Sequence, residues 1–210
     1  MKAILRREYF ALKHNFISYI SIWTLLPMMV YLLISIPLSF YINLDNGINY
    51  LNWSSIGNWI FTSCTMSYVL SIKLSSNYIL SDSHSKSLLY SSLSNYYHLL
   101  SIVLWSLFVG FIQLIFSLLI TLTLNSSNLF FIDIMLVVIY ILPIILLSSV
   151  LGVFIGFIIP DSLLRTISSI IIFLLLAFSS GLFVPLNPEI SNIFLLSPIY
   201  LSVTNIQSII

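Results

Sequence analysis

The chain has 210 residues, of which 60% are hydrophobic and 6% charged, with a net charge of +1. A soluble domain carries roughly 25% charged residues, so this composition excludes a water-soluble enzyme. No basic stretch points to a nucleic-acid partner. The single cysteine, Cys64, sits inside an apolar run, where it cannot form an intrachain disulfide and reads as a small packing residue.

In chain order, residues 1–15 read as an amphipathic helix rather than a span or a cleavable leader. Leu5, Tyr9, Leu12 and Phe16 share one helical face. Lys2, Arg6, Arg7 and Lys13 supply the charge, so the helix is expected to lie in the membrane interface with Arg6, Arg7 and Lys13 toward lipid headgroups. A bilayer-spanning helix needs about 20 mostly apolar residues. Five runs qualify: about Phe16 to Phe40, Ile56 to Ile72, Leu99 to Leu124, Ile134 to Ile158 and Leu163 to Val184. The intervening segments read as an outer loop over Tyr41 to Ser55, a long inner segment over Lys73 to His98, and tight loops over Asn125 to Asn128 and Pro160 to Arg165. Within the inner segment, Leu89, Leu93, Tyr96 and Leu100 repeat a helical spacing, which predicts a cytoplasmic helix over 84–97. After the fifth run, Pro185, Pro188 and Pro198 forbid one continuous helix. A short segment over 185–198, dipping into the outer leaflet and returning, fits that punctuation.

The charges orient these elements. All seven Lys and Arg fall on one side of the runs: Lys2, Arg6, Arg7, Lys13, Lys73, Lys86 and Arg165. The opposite segments carry only the acids Asp45, Asp133 and Glu189. Cytoplasmic loops retain Lys and Arg, so the N-terminus is expected in the cytoplasm. The fold class is an all-α integral membrane protein of about five to six spans, in one domain over 1–210.

No catalytic constellation is present. The chain has no G-x-x-x-x-G-K-[ST] loop for ATP and no G-x-S-x-G nucleophile elbow. His14, His84 and His98 are scattered over separate segments and do not have metal-ligand spacing. No ionisable residue lies clearly at mid-membrane, which argues against an ion-coupled carrier. Gln113, the most polar side chain of the third run, reads as an interhelical hydrogen-bonding group or a path-lining one. Ser148, Ser149, Gly152 and Gly156 permit close helix approach, either between subunits or within the chain.

Four stretches resemble the ABC-2 permease, the membrane subunit of a type-2 ABC exporter. They are the basic start KAILRREYFALKHN, the segment SKSLLYSSLSNYYHLLSIVLW, the small-residue ending AFSSGLFVPLNPEISNIFLLSP, and SPIYLSVTNIQ, which is similar to the family's entry to a sixth span. The chain departs from the pattern in two places. The coupling segment has Tyr90 or a serine where the family has an acid, and Ser92, Leu93 and Ser94 replace a proline-containing turn. Few residues follow Ser197, so the sixth span is expected to be missing or truncated.

The resemblance implies a permease that moves an amphiphilic cargo (drug, peptide, lipid or glycan) out of the cytoplasm across the inner (plasma) membrane. ATP and Mg would be bound by a separate ATPase subunit, with no cofactor in this chain and no catalytic residue. A second permease subunit, identical or related, would complete the path. The ATPase contact falls on Ser83, His84, Lys86, Leu88, Leu89 and Tyr90, and the re-entrant segment on Pro185, Pro188 and Glu189. Two other readings stay open at this point: a haem-exporter-type permease of cytochrome maturation, and a membrane scaffold or assembly factor that transports nothing.

Overall fold

The computed structural model describes residues 2–42, 49–80, 95–125, 131–159, 161–179, 181–185 and 197–207. These residues are helical with short connections and contain no strand. In chain order the helices are α1 (Lys2–His14), α2 (Phe16–Ser39), α3 (Tyr50–Leu80), α4 (Asn95–Asn125), α5 (Phe131–Ile158), α6 (Ser162–Ser179) and α7 (Pro198–Gln207). Three of them are long and apolar enough to cross a membrane: Phe16–Ser39, Tyr96–Asn125 and Ile132–Ile158.

α3 occupies the centre of the bundle, packed mainly against α4 and α5. Its 31 residues rise about 46 Å, well beyond the expected run from Ile56 to Ile72. The expected outer loop therefore ends early, since Tyr50 to Ser55 are already helical, and Lys73 lies within the helix rather than beyond it. The reason is local. Asn49 Oδ1 accepts a hydrogen bond from the Leu51 amide at 3.0 Å, which satisfies one of the free donors at the helix start. Most of the polar residues that make α3 look unlike a span are buried against protein. Ser63, Ser67, Ser71 and Ser75 are fully buried, and most of their hydroxyls return to carbonyls of α3 itself, as Ser63 does to Trp59 O at 2.6 Å and Ser75 to Ser71 O at 2.7 Å.

These serines form a ridge of small side chains that lets neighbouring backbones approach. A Cβ at Gly152 of α5 would meet Ser71 Oγ and, at 2.6 Å, the Tyr68 carbonyl oxygen. One at Gly156 would meet Ser75 Oγ and, at 3.0 Å, the Ile72 carbonyl oxygen. On the α4 side, a Cβ at Gly110 would sit 2.9 Å from Ser67 Cβ. In this fold the small residues of α5 thus serve packing within the chain.

α2 is not a uniform helix. Pro27 lies inside it and the stretch Tyr31–Ser35 is a π-helical turn. Pro27 has no amide hydrogen, so the Trp23 carbonyl one turn earlier loses its helical partner.

The inner loop expected over Pro160 to Arg165 is mostly the first turn of α6. Asp161 Oδ1 accepts from the amides of Leu163 at 2.8 Å and Leu164 at 3.3 Å, an N-cap. Arg165 is buried and donates from Nη1 to the Ile159 carbonyl at 3.3 Å, closing the end of α5. α6 ends at Ser179, short of the expected Val184, and Gly181 turns the chain at φ 69°, a conformation that glycine adopts at little cost. Leu182 and Phe183 then bury themselves against α3. Tyr50 Oη donates to the Phe183 carbonyl at 2.6 Å, and Gly57 leaves room for the Leu182 carbonyl. α7 is ten residues long, about 15 Å, and buries Ile199, Val203 and Ile206 in the same core.

Candidate functional site: the basic end of the bundle

α1 lies on the bundle through Leu5 and Leu12, which pack with Trp23, Leu70, Trp105 and Val109. Of the expected face of Leu5, Tyr9, Leu12 and Phe16, only the two leucines pack on the bundle. Tyr9 and Phe16 are about half exposed, at 54% and 50%, and Glu8 takes the position between the two leucines. Three of the basic residues of α1 behave differently. Arg6 stacks its guanidinium 5.7 Å from the centre of the Phe10 ring. Arg7 grips Glu8, with Nε at 3.0 Å and Nη2 at 2.7 Å from Oε1. Lys13 is exposed.

Around Arg7 four elements converge. The middle of α1, the start of α2, the C-terminal half of α3 and the first turn of α4 enclose a cavity of about 280 Å³. Its polar wall includes Asn15, Lys73, Asn77 and His98. Lys73 is exposed and makes no ion pair among the described residues. His98, which the sequence placed at the end of the long inner segment, is buried. The cavity continues into a furrow of about 420 Å³ between α2 and α3, which shares Asn15, Tyr19, Leu70 and Lys73 and runs past Ile22, Leu26, Met66 and Val69. Sequence reasoning missed this site because its residues come from four distant segments; the cluster of Asn and Lys at the ends of apolar runs was the available signal.

Gln113 sits elsewhere, fully buried in the bundle. Its Nε2 donates to the Trp23 carbonyl at 3.2 Å, the group that Pro27 leaves without a helical donor. One turn further on, Asn58 Nδ2 donates to the Pro27 carbonyl at 2.9 Å. Two side-chain amides thus clamp the irregular part of α2 to α4 and α3. At the opposite end, Tyr31 Oη donates to Asn125 Oδ1 at 2.7 Å, and Asn125 Nδ2 donates to the Leu51 carbonyl at 2.8 Å.

Ser83, His84, Lys86, Leu88, Leu89 and Tyr90 lie outside the described residues, as do Pro188 and Glu189. Of the helix expected over 84–97, Asn95 to Tyr97 are described and belong to the first turn of α4. Pro185 is exposed at the end of the segment that Tyr50 anchors.

An all-helical bundle with apolar spans and a basic end defines a membrane protein. A family model described as ABC-2 family transporter protein matches residues 43–210. The chain belongs to that family, whose members are membrane components of transporters and normally work with an ABC ATPase. No significant match was found among curated proteins or solved structures.

Proposed function

We propose that this chain is one half of the membrane domain of an ATP-driven exporter, with a separate ATPase docked beneath it. The observation that carries the reading is the family match over most of the chain. The one-sided placement of Lys and Arg adds the orientation, with the end bearing Arg7, Lys73 and Arg165 in the cytoplasm of a cell whose inner (plasma) membrane holds the protein.

In this reading α2 to α6 are five spans, the segment over 185–198 is re-entrant, and α7 is the start of a sixth. A second permease subunit, identical or related, completes the path. The cargo is amphiphilic and leaves toward the side of Glu189. No proton-coupling group is needed, because closure of the ATPase pair supplies the work. That motion enters at Ser83, His84, Lys86, Leu88, Leu89 and Tyr90. It has two direct routes into the bundle. Residues 95–97 are already α4, and α1 packs by Leu5 and Leu12 against the Trp105 and Val109 side of α4.

The test is Leu89→Asp in the reconstituted complex. A charge on an apolar contact is expected to abolish cargo-stimulated ATP hydrolysis while the permease still folds. Full stimulation with the complex intact would remove the coupling assignment.

A further inference from the structure

The groove at the basic end combines two surfaces that a single molecule can satisfy only if it is itself amphipathic. Its head region holds Lys73, Arg7 and Glu8 beside the amides of Asn15 and Asn77. Glu8 is matched by Arg7, which leaves the Lys73 ammonium as uncompensated charge among the described residues. Its tail region is a furrow in the size range of small-molecule sites. The furrow runs from Lys73 past Val69 and Met66 on α3, with Ile22 and Leu26 opposite on α2. Ile22 and Val69 are 44% and 54% exposed, so the furrow opens on the flank of the bundle. A free phosphate would leave this apolar length unfilled, and a lipid of zero net charge would leave the net positive charge of the head region uncompensated.

We propose that the groove binds one acidic phospholipid from the adjoining leaflet. Its phosphate rests against Lys73 and Arg7, and one acyl chain lies along Met66 and Val69 between α2 and α3. The cytoplasmic leaflet is the one rich in such lipids, which agrees with the orientation of the basic end. The inference concerns binding alone and does not depend on the direction of transport.

The experiment is native mass spectrometry of the full chain, delipidated and then exposed to phosphatidylglycerol or phosphatidylcholine of the same acyl composition. The wild type is expected to retain one phosphatidylglycerol in preference to phosphatidylcholine. Lys73→Gln should lower that retention about fivefold, the effect of one basic residue at an anionic surface. Lys73→Arg should preserve it, which separates charge from folding, and Lys13→Gln outside the groove should leave it unchanged. Met66→Trp, which fills the furrow, should lower retention with Lys73 intact. Equal retention of both lipids, or an equal loss from Lys73→Gln and Lys13→Gln, would overturn the proposal. So would competition by glycerol phosphate as strong as that by the lipid, which would reduce the site to a free-anion pocket. A dimer that excludes the lipid would overturn it too, because a second copy of the chain would then cover the groove.

Discussion

Replacing Gln113 by Leu tests whether the amide clamp on α2 does what its geometry implies. In the wild type, Gln113 Nε2 lies 3.2 Å from the Trp23 carbonyl, the acceptor orphaned by Pro27. Leaving a buried acceptor without a donor costs about 1–3 kcal/mol, whereas interhelical hydrogen bonds measured in membranes average about 0.6 kcal/mol. Gln113 Oε1 is itself buried without a partner among the described residues, so removing the amide also relieves a cost. The expected net loss is therefore about 1 kcal/mol. The sharper expectation concerns coupling. Pro27→Ala restores an amide hydrogen that can reach Trp23 O along the helix. In that background Gln113→Leu should cost close to nothing, a coupling of about 1 kcal/mol between the two positions. The assay is reversible unfolding of the four variants in mixed micelles. A Gln113→Leu penalty of the same size in the Pro27→Ala background as in the wild type would show that the Trp23 carbonyl is not what Gln113 serves.

The helix-crossing glycines give a contrast. Gly156→Ala should destabilise by about 1–3 kcal/mol and be largely rescued by Ser75→Gly, since Ser75 Oγ is the closest obstacle and the next atom is 3.0 Å away. Gly152→Ala should resist rescue by Ser71→Gly, because the Tyr68 carbonyl stays 2.6 Å from the new Cβ; thermal unfolding of the four variants reads both. Gly57→Ala should push Leu182 off α3, and hydrogen exchange should rise at residues 181–184 while the α4–α5 contact stays protected. For topology, single cysteines at Lys13 and Asn128 in a Cys64→Ser background should respectively resist and accept a membrane-impermeant maleimide on intact cells. The opposite pattern would invert the orientation.

What the sequence made legible follows physical lines. α2, α4 and α5 expose apolar side chains along much of their length, so their apolar runs announce them to within a few residues. α3 does not, because its serines and Asn58 are buried against other helices, where polar side chains are satisfied by backbone carbonyls. Hydropathy does not distinguish a polar residue facing water from one facing a neighbouring helix. It therefore renders the ends of α3 as loops and sets Lys73 beyond the span. Two capping residues, Asn49 and Asp161, carry the missing information about where α3 and α6 start. The role of Gln113 is half visible. Its polarity in an apolar run marks an interhelical bond, but the partner carbonyl emerges only once Pro27 is placed beside it. The basic groove is not legible, since it depends on α1 packing through Leu5 and Leu12 against residues of α2, α3 and α4 that are distant in the chain.

A separate ATPase drives this permease in the proposed function, and purification of the tagged full chain from native membranes in a gentle detergent, with mass spectrometry of what accompanies it, tests that. A P-loop ATPase in stoichiometric amount, lost on Leu89→Asp, is the predicted result. An intact membrane complex with no ATPase would rule out the ATP-driven permease and favour a scaffold that transports nothing.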